Sequence, residues 1–361
     1  MIDFIAGFFA PWLIYTIILG LHLVLPARRV AGYVCDPANG QPLGYRLNGP
    51  WVLVATIGLW VALAAGGILP WDWLYQHRWS GLAGASTLGL VFSLAMVVSA
   101  PGSGRSFLAD FFFGRRANPQ FLGRRLDIKM FLYLLGAVML ALNILSFVAH
   151  HILLYPGAVS TGVLLYTALF FWFIVEYLIF ERVHLYTYDL FAERIGFKLG
   201  WGCLVFYPYF YAVGIWAIAD LPASTLPSWA LTGFALLFFS GWVLSRGANL
   251  QKFLFKTQPD QALFGLLKPV TISNGTHTLL CGGFWGISRH VNYLGEILMA
   301  VGLTLSLGWP LVWAAWLYPL YYIVLLFPRE RDDEKRCAAK YGQLWQEYEA
   351  KVPKRIIPWL Y

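Results

Sequence analysis

Apolar runs of about 20 residues alternate with short polar connections along the chain. A run of this length is what an α-helix needs to cross the hydrocarbon core of a bilayer. The pattern therefore predicts an all-α fold, a polytopic integral membrane bundle with nine to ten transmembrane helices. The tenth helix is counted only if the run around Leu279–Ile287 also enters the membrane. The nine runs are 4–25, 50–69, 82–100, 130–149, 157–180, 199–219, 228–245, 294–308 and 311–327.

Lys and Arg residues fall almost entirely in every second connection and in the C-terminal tail. The alternate connections 70–81, 150–156 and 220–227 carry almost none. Because basic loops stay on the cytoplasmic side of a membrane, we expect the basic face and the C-terminus to be cytoplasmic. Nine helices then place the N-terminus on the far side, and ten place it in the cytoplasm.

Composition agrees with a membrane protein. Hydrophobic residues make up 59% of the 361 residues and charged residues 12%, against about a quarter charged in soluble domains. The net charge of +8 follows from the basic cytoplasmic loops, so we expect membrane lipids as partners and no nucleic acid. The cysteines form no CxxC pair, so we expect free thiols and no metal site.

The tail after the ninth run carries one group of candidate binding residues. If this segment is helical, Asp333, Cys337, Lys340 and Tyr341 share a face, and Tyr348 follows one heptad later. An acid, a base and phenols on one face suit the ribose, phosphates and amide of a dinucleotide. The alternative is a juxtamembrane anchor for lipid headgroups, but the tail's four carboxylates argue against a polybasic anchor.

A second candidate group lies just before the last apolar hairpin. Arg289 supplies a bidentate fork for phosphate, and Asn292 can both donate to and accept from a carboxamide. His290 and Tyr293 stand beside them. The alternative is a capped helix start with a snorkelling arginine. The coincidence with the tail favours a site.

Lys252 and Lys256 are spaced i, i+4 after the seventh run and could hold a 2′-phosphate, which would favour NADPH over NADH. Cytoplasmic charge bias explains them equally well. No GxGxxG or GxxxxGK[ST] motif is present, so Rossmann and P-loop modes of binding are excluded. Asp189, and the aromatic run that ends at Tyr211, are candidate proton donors or, alternatively, packing residues.

The sequence GFWGISRHVNYLGE, together with the tail from Cys337 to Tyr348 and VPKRIIPWLY, resembles the sterol reductase family. The similarity is strong over 278–361 and moderate elsewhere, as at Tyr45-Arg-Leu-Asn-Gly49, and it fits a bacterial delta-14 sterol reductase best. Departures from the family pattern are Asp332, Arg116 and Gln120, which leave the substrate open.

The resemblance implies NADPH-dependent reduction of a sterol double bond, by protonation of the alkene followed by hydride transfer. The implied proton donors are Asp189, Tyr211, His290 or Asp333, and the residues do not choose among them. Arg289, His290 and Arg329 are added to the cofactor region on chemical grounds. By motif, the NADPH contacts are Lys252, Lys256, Leu280, Trp285, Asn292, Tyr293, Asp333, Cys337, Lys340, Tyr341 and Tyr348.

We expect one integral membrane unit in which 1–200 supplies N-terminal helices and loops and 201–361 carries the cofactor and sterol region. The substrate would enter from the bilayer, and the cofactor site would face the cytoplasm. A bacterial cytoplasmic membrane is the expected location, or the endoplasmic reticulum if the source is eukaryotic. Two alternatives remain open. One is an S-adenosylmethionine-dependent methyltransferase of the isoprenylcysteine carboxyl type. The other is a non-catalytic transporter or sterol-binding protein.

Overall fold

The computed structural model describes residues 1–358 and 360–361 of the chain. Most described residues are helical, and the chain is a polytopic membrane protein. Their contacts divide the chain into two compact units, Met1–Ala223 and Ser224–Tyr361. Within the described residues, six helices are long and apolar enough to cross a membrane, and Gly49–Ala65 and Val291–Ser306 are shorter apolar helices.

The first unit combines membrane helices with two short hairpins. Its helices are α1 (Ile2–Val24), α2 (Gly49–Ala65), α3 (Trp73–Gln76), α4 (Arg78–Val98), α5 (Phe107–Phe113), α6 (Ile128–Leu154), α7 (Thr161–Ile179), α8 (Glu181–His184), α9 (Tyr188–Phe191), α10 (Phe197–Trp201) and α11 (Val213–Ile218). Its antiparallel strand pairs are β1 (Arg28–Cys35) with β2 (Pro42–Leu47), and β3 (Gln120–Phe121) with β4 (Leu126–Asp127).

Helix α6 is the centre of the first unit and is buried on nearly every side. Its sequence is apolar all round, which is the pattern of a helix surrounded by other helices. The polar groups within it find partners: the Asn143 amide donates to the Pro208 carbonyl oxygen at 2.9 Å, and His151 Nδ1 lies 3.1 Å from the Ala219 carbonyl oxygen. Buried polar groups therefore fasten α6 to its neighbours.

The predicted span 199–219 is helical but irregular. Helices α10 and α11 flank a π-helical segment, Gly202–Phe210, that contains Pro208. Proline removes one helix hydrogen bond and crowds the preceding turn, which gives a local reason for the departure from α geometry.

The second unit is built on two long helices, a shorter apolar helix and a small hairpin of two strands. It contains α12 (Ser228–Thr257), β5 (Thr271–Ser273), β6 (Thr278–Leu280), a 3-10 turn (Gly283–Gly286), α13 (Val291–Ser306), a second 3-10 turn (Trp313–Trp316), α14 (Leu317–Tyr341) and α15 (Gln343–Lys351). Strands β5 and β6 are antiparallel.

Helices α12 and α13 pack backbone to backbone. A Cβ atom on Gly295 would lie 2.4 Å from the Gly241 carbonyl oxygen, and one on Gly241 would lie 2.5 Å from the Gly295 carbonyl oxygen. Only glycine at both positions permits this approach, as is common between membrane helices. The close packing fixes the first turns of α13 beside the middle of α12.

The helical architecture confirms the predicted fold class, and each of the nine predicted runs coincides with helix. Two details differ. The run around Leu279–Ile287 contains β6 and a 3-10 turn, so it is not a tenth spanning helix. The helix over the ninth run, α14, begins at Leu317 and continues to Tyr341. It therefore includes the first part of the charged tail as well as the apolar run.

Candidate functional site

The structure brings together the two segments that the sequence singled out, one before α13 and one in α14. The Arg289 guanidinium donates to Glu334 through Nε at 2.7 Å and Nη2 at 3.0 Å, and His290 Nε2 lies 3.2 Å from the same carboxylate. All three side chains are buried. A carboxylate on α14 therefore holds the segment that leads into α13.

The C-terminal segment 352–356 holds the same residues through its backbone. The backbone N–H of Arg289 donates to the Lys354 carbonyl oxygen at 3.0 Å, and that of His290 donates to the Arg355 carbonyl oxygen at 2.7 Å. The Ser288 hydroxyl donates to the Ile356 carbonyl oxygen at 2.9 Å. The VPKRII sequence that marked the family resemblance thus acts as a backbone tie.

Trp285 lies between α12 and α15. Its indole N–H donates to the Ala248 carbonyl oxygen at 2.9 Å, and the Tyr348 hydroxyl donates to the Trp285 carbonyl oxygen at 3.0 Å. The Lys252 ammonium lies 5.3 Å from the centre of the Trp285 ring, which is within the range of a cation–π contact. Three predicted cofactor residues are therefore in one neighbourhood.

Asp333, Cys337, Lys340 and Tyr341 all lie in α14, so the helix that their spacing assumed is present. The Lys340 ammonium lies 5.0 Å from the Tyr341 ring centre. Burial, with the nearby Asp333 carboxylate, raises the pKa of the Cys337 thiol to about 12, and the charges of Lys252 and Lys340 oppose the rise. The two lysines thus act on the same thiol. Lys256 is in turn under the electrostatic influence of Lys252, Lys340 and Asp333.

Leu280 is buried at the end of the β5–β6 hairpin. The next residue, Cys281, packs with Trp345, Tyr348 and Val352 in a hydrophobic cluster. The hairpin therefore lies against α15, and the positions of Leu280 and Tyr348 are explained by this packing. Tyr341 and Trp345 stack with ring centres 6.4 Å apart.

Asn292 offers the most specific indication of a ligand. Its Nδ2 lies 3.5 Å from Asn249 Oδ1, while its Oδ1 is buried and has no hydrogen-bond partner among the described residues. A buried carbonyl oxygen left without a partner costs about 1–3 kcal/mol. A carboxamide N–H from a bound molecule would remove that cost, so this residue fits a nicotinamide.

The other predicted residues of this region are placed as follows. Tyr293 is buried and stacks on His290 with ring centres 5.1 Å apart. Arg329 is half-buried on α14, one turn before Asp333. Arg289 and His290 have buried protein partners, so a direct contact with cofactor stays a prediction for both.

Asp189 and Tyr211 belong to the first unit. Asp189 is half-buried in α9 and acts electrostatically on Lys129 and Cys203. Tyr211 follows the π-helical segment, and its ring centre lies 4.7 Å from that of Tyr207. Asp189 therefore lies near other titratable groups of the first unit, and Tyr211 lies near another aromatic ring.

Two residues of the second unit were not predicted as part of the site. Glu334 was read only as one of the tail carboxylates, although a buried arginine requires such a partner. Gln251 accepts from the Phe284 N–H at 3.0 Å and donates to the Gly282 carbonyl oxygen at 3.2 Å. The sequence did not predict a role for Gln251, because a glutamine near a helix end is common and does not by itself indicate a binding site.

Nearly the whole chain is similar in sequence to known proteins. The profile of the family described as "Ergosterol biosynthesis ERG4/ERG24 family" matches residues 5–361. A Delta(14)-sterol reductase of Arabidopsis thaliana is 32% identical over 350 residues, covering 94% of this chain and 91% of the relative. A bacterial one from Methylotuvimicrobium alcaliphilum is 30% identical over 366 residues, covering 99% and 83%.

A mouse protein named Delta(14)-sterol reductase TM7SF2 is 33% identical over 382 residues, covering 98% of this chain and 86% of the relative. The match extends through both units and includes every segment described above. The chain therefore belongs to the ergosterol biosynthesis ERG4/ERG24 family, as a membrane-embedded sterol reductase.

Proposed function

We propose that this protein reduces the delta-14 double bond of a sterol and that NADPH is the reductant. The observation that carries the cofactor assignment is the unpartnered buried oxygen of Asn292 in the same neighbourhood as a cluster of cations and aromatic rings. Relatives across the whole chain are named Delta(14)-sterol reductase, which supports the choice of bond.

Residues of the second unit would hold NADPH. Lys252, Lys256 and Lys340 would neutralise its phosphates, and the 2′-phosphate that distinguishes NADPH from NADH would require the first two. Trp285 offers a flat ring and Asn292 an amide edge. When bound, NADPH supplies the hydride, which no protein side chain can provide.

The remaining task of the protein is to protonate the alkene. An isolated double bond accepts hydride poorly until a proton has made a tertiary carbocation. An acid must therefore stand against one face of the ring system where water is excluded. Asp189, Tyr211, His290 and Asp333 are the candidates. Replacing each in turn, and measuring the solvent isotope effect on turnover of each variant, would identify the donor.

Binding of reduced nucleotide to detergent-solubilised protein tests the cofactor assignment directly. We expect NADPH to stabilise the protein against heat, with NADH weaker and S-adenosylmethionine without effect. Asn292→Ala and Arg329→Ala should abolish the stabilisation, whereas Lys268→Met, at an exposed loop lysine outside the site, should leave it intact. Stabilisation by S-adenosylmethionine instead would overturn the proposal in favour of a methyltransferase.

Turnover tests the substrate assignment. A delta-14 sterol in mixed micelles should support oxidation of NADPH and yield the reduced ring product. Oxidation with a different unsaturated sterol, and none with the delta-14 sterol, would keep the reductase chemistry and remove the assigned bond.

We also propose that the cofactor site faces the cytoplasm, supported by the one-sided distribution of Lys and Arg. Cys35 is an exposed thiol in the β1–β2 hairpin of a connection predicted to be cytoplasmic. A membrane-impermeant maleimide should label it in inside-out vesicles and spare it in intact cells. The reverse labelling would contradict the orientation.

A further inference from the structure

Glu334 is an ionised carboxylate in a buried position. It is 8% exposed. Burial opposes its charge, but hydrogen bonds from His290 and Arg289 outweigh burial and lower the pKa of Glu334 to about 2. The two hydrogen-bonded partners therefore favour the ionised form of Glu334.

Arg289 is committed to the protein. It is 4% exposed, its Nε and Nη2 donate to Glu334, and its Nη1 donates to the Val352 carbonyl oxygen at 2.8 Å. All three guanidinium nitrogens thus have protein partners within a buried setting. This geometry is that of a structural fork, and a phosphate would have to displace Glu334 to reach it.

The two residues join the two halves of the proposed cofactor site. The segment that contains Arg289 also carries Trp285 and leads into Asn292. The helix that contains Glu334 carries Asp333 and, one to two turns later, the rest of the predicted face. Displacements of about 1 Å in a binding constellation are costly.

We infer that Glu334 is a positioning residue that, through Arg289 and His290, sets the segment of Trp285 and Asn292 against the nucleotide-facing side of α14. The inference rests on the proposed function, because it assigns a role in holding the proposed cofactor. The inference also changes the role of Arg289. It is no longer a phosphate ligand but the partner of Glu334 in a buried ion pair, which we call the clasp.

The same neighbourhood has the composition of a metal site. Ligand atoms of His290, Glu330 and Glu334 lie within 4.8 Å of one another, and all three residues are buried. Both oxygens of Glu334 are already held by Arg289, and Arg355 Nε lies 3.7 Å from Glu330 Oε1. Two guanidinium groups beside these carboxylates oppose a further cation, so the geometry favours a clasp.

Nucleotide affinity is the first test. We expect Glu334→Gln to raise the Kd and KM for NADPH about tenfold to a hundredfold and to leave kcat at saturating NADPH within about threefold, because a loss of positioning for binding affects ground and transition states alike. Glu334→Asp, which keeps the charge, should restore part of the affinity. Glu347→Gln, at an exposed carboxylate of α15, is the matched control and should match the wild type.

Coupling is the second test. Arg289→Met should weaken NADPH binding as Glu334→Gln does, and the double variant should be no weaker than the weaker single variant, because both remove the same contact. Additive losses would overturn the clasp. An unchanged Kd for NADPH in Glu334→Gln would also overturn it. So would a loss of NADPH affinity when a chelator is added to the wild type, if zinc or magnesium then restores the affinity.

A distance measurement keeps the test independent of NADPH. Spin labels at Ile287→Cys and Ala339→Cys, both exposed positions, in a background with the native cysteines replaced by serine, report the separation of the two halves. We expect a narrow distance distribution with Glu334 and a broad one with Glu334→Gln. An unchanged distribution overturns the inference even if the protein fails to bind NADPH, and wild-type failure to bind removes only the proposed function.

Discussion

Two arginines of the first unit donate to backbone carbonyl oxygens at helix ends, whereas two lysines of the second unit lie beside aromatic rings. In the first unit, Arg46 Nε donates to the His22 carbonyl oxygen at 2.9 Å, and Arg115 Nη1 donates to those of Val97 and Ala100 at 3.0 and 2.8 Å. The His22 and Val97 oxygens belong to the last turns of α1 and α4, and Ala100 follows α4 by two residues. The arginines therefore cap helix C-termini, where the last carbonyls lack partners and a positive charge is favoured.

In the second unit, Lys252 lies over Trp285 and Lys340 over Tyr341. Lys340 is exposed and Lys252 is half-buried. One positive-inside bias in the sequence thus has two physical uses. Arg46 and Arg115 of the first unit cap helix ends, whereas Lys252 and Lys340 of the second unit stand beside rings in the proposed cofactor region.

Lys129→Met should have the largest effect on stability. The Lys129 ammonium is fully buried and donates to the carbonyl oxygens of Leu190 and Glu193, each at 2.8 Å. Its removal takes the donor from one buried and one partly buried carbonyl oxygen, at a cost of about 3 kcal/mol. Thermal unfolding in detergent should move to a clearly lower midpoint while the folded protein keeps its NADPH affinity. An altered Kd with an unchanged midpoint would break the contrast between the units.

Glu181→Gln should remove a pH dependence of stability. Burial raises the pKa of Glu181 to about 7, and its hydrogen bond from the Gly49 N–H only partly opposes this. The folded state then binds a proton more tightly than the unfolded state, so the contribution of Glu181 is fully present below about pH 4.5 and is lost as pH rises through 7, by about 3 kcal/mol.

Melting curves of wild type and Glu181→Gln at pH 5 and pH 8 measure this directly. The variant should gain stability relative to wild type at pH 8 and not at pH 5. The opposite sign would mean that Glu181 is stabilised in its charged form, and the first unit would then share the charge chemistry of the second.

Lys252→Met combined with Lys256→Met should reduce NADPH affinity about a hundredfold, with a much smaller change for NADH, because charge-assisted contacts to phosphate contribute about 1.5–3 kcal/mol. Isothermal titration with both nucleotides checks the expectation, and Lys268→Met serves as the charge-matched control. Equal losses for NADPH and NADH would show that these lysines do not read the 2′-phosphate.

Trp285→Phe should have the smallest effect. Phenylalanine keeps an aromatic face but weakens the contact with Lys252 and loses the hydrogen bond to Ala248, so we expect about a fivefold rise in the Kd for NADPH, equivalent to about 1 kcal/mol. Trp313→Phe, an exposed tryptophan outside the site, is the control. A rise in the Kd for NADPH as large as that of the lysine variants would mean that the Trp285 ring contributes as much to binding as the lysine charges do.

The residue pattern was sufficient for the helices and for the two site segments. Apolar runs of membrane length allow one structure, because a backbone in lipid must satisfy its own hydrogen bonds. The i, i+4 and i+7 spacing of Asp333, Cys337 and Lys340 likewise placed them on one side of α14. Motif resemblance supplied Leu280 and Trp285, which spacing alone did not indicate.

The tertiary structure decided which charged residues contact each other. Arg289 has the same chemistry whether it binds phosphate or a buried carboxylate, and only the fold brings Glu334, 45 residues later in the chain, within 2.7 Å of it. The unpartnered oxygen of Asn292 depends in the same way on neighbours distant in sequence. Local sequence fixes periodicity and helix ends, whereas burial and partner choice are properties of packing and appear only when the chain has folded.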